Sequence, residues 1–188
     1  MNKISEEFNL LLHKKYDVSE IKNYISKYSS EWDLDTSRQK FDTHRETKSI
    51  FLYKSELAWD GKSPFISSEV LDDMQLKNLI DPIIFDFQKI HNGKVGQALL
   101  VKLPNGKSIP KHSDSGYYLM QGRRHHLPIS SDGLTEFTVN GETVRMQEGE
   151  CWEINNAKVH SVNNNGSQDR IHLIFDIVPN YVIEKSHK

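Results

Sequence analysis

Three side chains stand out for the chemistry their spacing allows: His112 and Asp114, separated only by Ser113, and the distant His160. In an extended segment, residues two apart point the same way, so His112 and Asp114 can reach one metal ion from one face. A histidine arriving from a neighbouring strand, His160, would complete a set of two imidazoles and one carboxylate. Such a set occupies one face of an octahedron and leaves three positions open, the arrangement typical of non-haem Fe(II) oxygenases. Alone, the His-x-Asp tripeptide is a weak signal. Its polar surroundings, Pro110-Lys111-His112-Ser113-Asp114-Ser115-Gly116, equally suit a solvated loop.

A second pattern adds to the first. Ten residues beyond His160, Arg170 opens a run in which Arg170, His172, Ile174 and Asp176 alternate with Ile171, Leu173, Phe175 and Ile177. Residues 124–129 repeat this, with Arg124, His126 and Pro128 opposing His125, Leu127 and Ile129. Two β segments that each present Arg and His on one face predict a shared polar lumen that binds an anion. The planar guanidinium fork matches a carboxylate bidentately, which a point-charge lysine does not. A dicarboxylate would use more than one such group.

These side chains need strands to carry them, and the second half of the chain supplies strand signals. An apolar run over 97–103 stops at Pro104-Asn105-Gly106. Residues 135–139 and 142–147 flank Asn140-Gly141, whose positive φ angles suit a type I′ hairpin. Further strands are expected over 151–154 and 170–178. Upstream, residues 18–29 place Val18, Ile21, Tyr24, Ile25 and Tyr28 at helical spacing, with Ser19 as the cap. Residues 49–53 read as a strand. Residues 69–91 read as two consecutive helices or one bent helix, with Asp81 capping and Pro82 at the first helical position. The expected fold is mainly β with supporting α: a double-stranded β-helix (a cupin-like jelly roll) flanked by N-terminal helices. Residues 1–188 are expected to form a single domain, with 1–94 as its N-terminal part and 95–180 as its jelly-roll core.

Composition narrows the function classes. An apolar fraction of 36% and apolar runs as short as Leu99-Leu100-Val101 leave no segment able to cross a bilayer. A net charge of -2 argues against a general nucleic-acid binder. A single cysteine, Cys151, excludes an intramolecular disulfide framework. With no secretory signal evident, a cytoplasmic location is expected. Cys151 reads as a small buried hydrophobe and Trp152 as core packing. His125 falls on the opposite parity from Arg124 and His126 and reads as structural, while His13, His91 and His187 carry no case for metal. His44, Arg45 and Thr47 face either the substrate or solvent, and Tyr117 and Tyr118 either roof the pocket or do not.

Residues 97–179 resemble the aspartyl/asparaginyl β-hydroxylase family of 2-oxoglutarate oxygenases. The matching stretches are Ile109-Pro110-Lys111-His112-Ser113-Asp114, Arg124-His125-His126-Leu127-Pro128-Ile129, Glu150-Cys151-Trp152-Glu153-Ile154-Asn155-Asn156, His160-Ser161-Val162 and Arg170-Ile171-His172-Leu173. Upstream, Arg38-Gln39-Lys40-Phe41-Asp42-Thr43-His44 and Thr47-Lys48-Ser49-Ile50 also look like the family's N-terminal part. The resemblance implies that His112, Asp114 and His160 are the Fe(II) ligands and form the catalytic centre. It implies that Arg170 grips the distal carboxylate of the co-substrate 2-oxoglutarate, with Arg124 and His126 near its other end. It further implies that O2 is consumed and 2-oxoglutarate is decarboxylated to succinate as an unactivated C–H bond is hydroxylated.

Two departures from the family pattern are informative. Vertebrate peptidyl-aspartate hydroxylases of the family have glycine where this chain has Asp114, whereas bacterial members acting on small substrates such as free proline keep the carboxylate. The serine that helps the arginine in those members has no equivalent, because Val101 and Lys102 fall there, so the second contact of the distal carboxylate stays open. The expected substrate is an amino acid, an amino-acid derivative or a peptidyl residue, with neither nucleic acid nor membrane as partner. No further C-terminal domain is expected after Lys188. Part of the pocket is then expected from the N-terminal third, a partner subunit or the substrate itself. The alternative is a cupin-like domain that binds a metal and an anion without oxygenase activity. Against a structural zinc at the His112 site stands Arg170, for which closed tetrahedral ligation has no use.

Overall fold

The computed structural model describes residues 7–187, with side chains placed as far as Lys185, so the His187 side chain lies outside the described residues. In chain order the elements are β1 (Leu10–Lys15), α1 (Ser19–Ile25), β2 (Lys48–Ser55), β3 (Ser67–Glu69), α2 (Met74–Ile90), β4 (Gly93–Leu103) and β5 (Ser108–His112). There follow α3 (Tyr117–Gln121), β6 (Arg123–Ser130), β7 (Thr135–Val139), β8 (Glu142–Val144), β9 (Glu150–Ile154), β10 (His160–Asn164), β11 (Arg170–Pro179) and α4 (Asn180–Ile183). Short 3-10 turns at Ser30–Asp33, Ser37–Lys40 and Asp42–His44 carry the chain from α1 to β2. No helix among the described residues is long and apolar enough to cross a membrane.

The strands form two antiparallel sheets, a major one ordered β1-β9-β6-β11-β4-β2-β3 and a minor one ordered β5-β10-β7-β8. From β4 onward the chain passes back and forth between them, which is the jelly-roll path the sequence predicts. Side-chain parity then sorts each major strand into two faces. Ile50, Leu52, Ala98, Leu100, Leu127, Leu173, Phe175 and Ile177 join the helices in the largest apolar cluster. Their sequence neighbours Phe51, Leu99, Val101 and Ile174 form a separate cluster on the lumen side. The sheets meet through Leu103, Ile109, Phe137, Val139, Ile154 and Val162.

One continuous helix, α2, runs through Pro82, so of the two expected arrangements the pair of consecutive helices with Asp81 as a cap does not form. Asp73 caps it, accepting from the Leu76 N–H at 2.9 Å, while Asp81 accepts instead from the Tyr53 hydroxyl at 2.9 Å. Proline inside a helix costs about 3 kcal/mol. Burying Leu76, Ile80, Ile83, Ile84 and Phe87 against the sheet contributes roughly 1.5–3 kcal/mol per side chain, so packing outweighs the lost hydrogen bond.

At the start of α1 the Ser19 side chain makes no capping bond; the Ser19 N–H donates to Asp17 Oδ1 at 2.9 Å instead. The Asn140-Gly141 turn has φ of 49° and 85°, as the hairpin requires, although β8 ends at Val144 rather than near 147. No strand signal marks β1, whose Leu11 and Leu12 are exposed. It is ordered by pairing with β9 along the edge of the major sheet.

Candidate functional site

The end of β5 and the start of β10 are in register, with His112 opposite His160, so their rings lie 4.1 Å apart. Asp114 is not on the strand. It sits two residues past the end of β5, where its N–H donates to the Asn156 carbonyl at 2.9 Å. Its Oδ1 lies 3.9 Å from His112 Nε2, and one ligand atom from each of the three residues falls within 4.8 Å of the others. Hydrogen bonding orients both imidazoles. His112 Nδ1 faces the Pro110 carbonyl at 2.8 Å, and His160 Nδ1 faces the Lys158 carbonyl at 3.0 Å. A carbonyl only accepts, so Nδ1 carries the proton in each ring and Nε2 keeps its lone pair for the shared centre.

Protonation states suit metal ligation. Burial pushes the His160 imidazole down to about 4, against the pull of Asp114. Burial would raise the Asp114 carboxyl, but Arg124, His160 and the hydrogen bond from Asn156 outweigh it and hold it below the usual range.

Behind Asp114 runs a chain of support. Its Oδ2 accepts from Arg124 Nη1 at 2.6 Å and from Asn156 Nδ2 at 2.8 Å. The Arg124 guanidinium is gripped in turn by Asp176, with Nε to Oδ1 and Nη2 to Oδ2 both at 2.8 Å. The Tyr118 hydroxyl donates to Asp176 at 3.1 Å and accepts from the Gln97 N–H at 2.8 Å. Tyr118 is thus a buried brace rather than a roof, and Tyr117 stacks edge-on against Trp59.

Beneath this centre a small cavity of about 50 Å³ opens between the sheets. Leu99, Val101, Phe137, Val162 and Ile174 form apolar walls, while Arg124, His126 and Arg170 supply the polar ones. The Arg170 residue is 1% exposed. Its Nη2 donates to His172 Nδ1 at 2.6 Å, yet Nε and Nη1 have no partner among the described residues. Burial and nearby Arg38 push this guanidinium down to about 9. Burial, then Arg170, holds the His126 and His172 imidazoles well below their ordinary range. Val101 lines the cavity, Lys102 lies over the Trp32 ring, and His172 is the side chain bonded to Arg170.

The N-terminal third contributes directly. Arg38 and His44 line the cavity and, with Phe41, Thr43, Leu57 and Leu119, its outer mouth. Arg38 donates to Ser49 Oγ at 3.0 Å and lies 3.3 Å from the His44 ring. Burial, reinforced by Arg38, takes the His44 imidazole down to about 3. Thr47 is buried and bonds the His44 carbonyl at 2.8 Å, whereas Arg45 is exposed and pairs with Asp42. Arg38 and Gln97 carried no separable signal in the sequence, since an arginine in a 3-10 turn and a mid-strand glutamine are ordinary surface residues.

A second group able to chelate a metal also forms: His13, His91, His125 and Glu153, with one ligand atom from each within 4.8 Å of the others. His13 and His91 carried no case for metal in the sequence, because they are distant in the chain and share no periodicity with His125. Only the packing of β1 and α2 on the sheet brings them together.

Comparison with known proteins agrees with this arrangement. A family model for aspartyl/asparaginyl β-hydroxylase matches residues 68–179, more than half of the chain. No curated protein matches it. An oxidoreductase of the 2OG-Fe(II) oxygenase family from Burkholderia pseudomallei superposes with a TM-score of 0.60 at 11% identity, over 92% of this chain and 85% of that one. The viral collagen prolyl hydroxylase of Paramecium Bursaria Chlorella virus-1, solved with 2OG, gives 0.59 at 7% identity, over 92% and 97%. The non-heme monooxygenase ThoJ, solved with nickel, gives 0.55 at 11%, over 91% and 74%. The likeness to a Streptococcus pyogenes protein of unknown function spans 44% of this chain and 64% of that one, with a TM-score of 0.36. The fold is therefore the cupin-like double-stranded β-helix that oxygenases use.

Proposed function

From the premise that this chain belongs to the aspartyl/asparaginyl β-hydroxylase family, we propose that it is an Fe(II)/2-oxoglutarate-dependent hydroxylase, with residues 1–188 acting as one oxygenase unit. His112, Asp114 and His160 would hold the iron. The observation that carries this reading is Arg170, buried beside the cavity with Nε and Nη1 unpaired among the described residues. A buried charge without its partner costs several kcal/mol. A bound carboxylate would supply that partner through the two nitrogens that His172 leaves free. The two imidazoles fit a ferrous ion because each turns Nε2 toward the shared centre while Nδ1 faces a backbone carbonyl, and three ligands leave positions open for a chelating co-substrate and O2.

When bound, iron with 2-oxoglutarate and O2 supplies the oxidising power that hydroxylates an unactivated C–H bond while 2-oxoglutarate becomes succinate. The residues of the chain supply geometry. Arg170 positions the distal carboxylate, with His126 beside it on the same face. Arg124 keeps the Asp114 carboxylate ionised and aimed, while Asp176 prevents Arg124 from swinging away. The apolar walls exclude water from around the reacting bond.

The proposed substrate class is an amino acid, a derivative or a peptidyl residue. Arg38 favours one with a free carboxylate, because it stands half-buried at the boundary between cavity and mouth and makes no ion pair among the described residues. Anaerobic addition of Fe(II) and 2-oxoglutarate should give a visible metal-to-ligand charge-transfer band that His112→Ala lacks. A wild-type protein without the band would reduce the reading to a metal- and anion-binding domain. Succinate release in the presence of amino acids, their amides and short peptides then identifies the substrate. Amides accepted as well as acids would remove the role given to Arg38.

A further inference from the structure

On the opposite face of the major sheet, we infer that His13, His91, His125 and Glu153 form a second metal site, closed and structural, with the ligand set of a zinc ion. The four side chains come from four elements. His125 on β6 and Glu153 on β9 are direct cross-strand partners. His91 is the residue that ends α2. His13 sits where the β1–β9 register slips between Leu12 and Lys14. A bulge of this kind re-aims a side chain that strict alternation would direct elsewhere, and such bulges gather at functional sites.

The same nitrogen of each ring and one carboxylate oxygen converge. His91 Nε2 lies 3.0 Å from His125 Nε2, and His13 Nε2 lies 3.0 Å from Glu153 Oε2. That oxygen is 3.8 Å from both His91 Nε2 and His125 Nε2. Zinc with bonds of about 2.0–2.2 Å to nitrogen and oxygen gives tetrahedral edges of roughly 3.3–3.5 Å. These four separations lie on either side of that value, and the remaining two, from His13 to the other imidazoles, are within 4.8 Å. The other carboxylate oxygen, Oε1, pairs with Arg123 Nε at 2.6 Å, a contact that orients the carboxylate from behind as outer hydrogen bonds do for metal ligands. Arg123 also opposes the ion's charge, while the C-terminal end of the α2 dipole beside His91 favours a cation.

Four protein ligands with no open position define a structural site, in contrast to the three at the front. The setting agrees. His125 and Glu153 side chains are fully buried, and Phe87 and Phe175 stack on His125 at 4.4 and 4.8 Å. The His13 and His91 side chains retain 17% and 12% exposure, which gives an ion its way in. An ion there would tie β1 and the end of α2 to the sheet that carries Arg124 and His126 on its other side.

The test uses the full chain, stripped of metal, in a His112→Ala/Asp114→Ala background that removes the front site. Cobalt(II) should bind at about one equivalent, with the intense ligand-field absorption of a tetrahedral ion, and zinc should displace it. Zinc should also raise the melting temperature, by mass action on the folded state. His13→Gln and His91→Gln, chosen because they lie at the rim, should keep the far-ultraviolet circular dichroism and lose the tetrahedral spectrum. In an otherwise native chain the same two changes should leave the iron–2-oxoglutarate band in place. No uptake of cobalt, or a weak six-coordinate spectrum indifferent to both glutamine variants, overturns the site and leaves a metal-free histidine network held by Glu153. Failure here is distinct from failure of the oxygenase reading, because the front site is absent from the first measurement.

Discussion

The major sheet faces a group of histidines and a carboxylate on each of its two sides, and the two groups have different surroundings. On the lumen face, two histidines and one carboxylate stand at the edge of a cavity whose wall holds a buried, partly unpaired arginine. On the helix face, three histidines and one carboxylate converge beside Phe87 and Phe175, with one ligand atom from each within 4.8 Å of the others. His125 and His126 are adjacent in sequence and belong to opposite faces. The difference lies in what surrounds the imidazoles rather than in the imidazoles: open coordination and an anion socket suit turnover, whereas closure and packing suit stability.

The largest effect that separates the faces should come from Arg170→Met. Losing one partner of a buried charge pair costs about 2–5 kcal/mol, so 2-oxoglutarate affinity should fall roughly 30- to 5,000-fold in a titration of the charge-transfer band. Iron binding should hold. The same variant should melt higher than wild type without co-substrate, because the uncompensated charge is gone; a lower melting temperature would mean that Arg170 is satisfied within the fold. Asp176→Asn comes next. It loosens Arg124 and through it Asp114, so iron affinity should drop about 10- to 100-fold. Measured at saturating iron, 2-oxoglutarate affinity should be nearly unchanged, and a matching loss there would show Arg124 acting on the co-substrate directly.

On the helix face, Leu76→Ala should cost about 2–5 kcal/mol of stability in urea unfolding. Turnover per folded molecule should stay as it was; a fall in turnover would couple the faces more tightly than their packing implies. The smallest contrast is in acid. In metal-free, ligand-free protein, His126 and His172 are held below their ordinary 6.5 in the folded state. As pH falls below that value the unfolded chain takes up protons that the folded one refuses, and stability is lost. Glu153 is held below its ordinary 4.5, so its contribution survives until pH falls under that value. Unfolding midpoints against pH should therefore decline from about 6.5, and His172→Gln should flatten only the upper part of the decline.

Much of the lumen face was legible because it follows strand periodicity. Arg170, His172, Ile174 and Asp176 alternate with the apolar residues of β11, and Arg124 and His126 do the same on β6. The unbroken α2 was not legible, since Pro82 reads locally as a break and only packing against the sheet outweighs it. Nor was β1, an edge strand with exposed leucines, nor the bulge that turns His13 inward.

The sequence by itself determined the candidate set at the lumen, His112, Asp114, His160, Arg124, His126 and Arg170, and the strand face of those on β6 and β11, because alternation is a property of the local backbone. Tertiary structure alone decided the rest. Asp114 reaches His112 through a loop bonded to Asn156, Arg38 and His44 enter from a segment of 3-10 turns, and His13 and His91 meet His125 across four elements. Each of these depends on contacts between segments far apart in the chain, whose geometry is set by packing and register and by no local pattern.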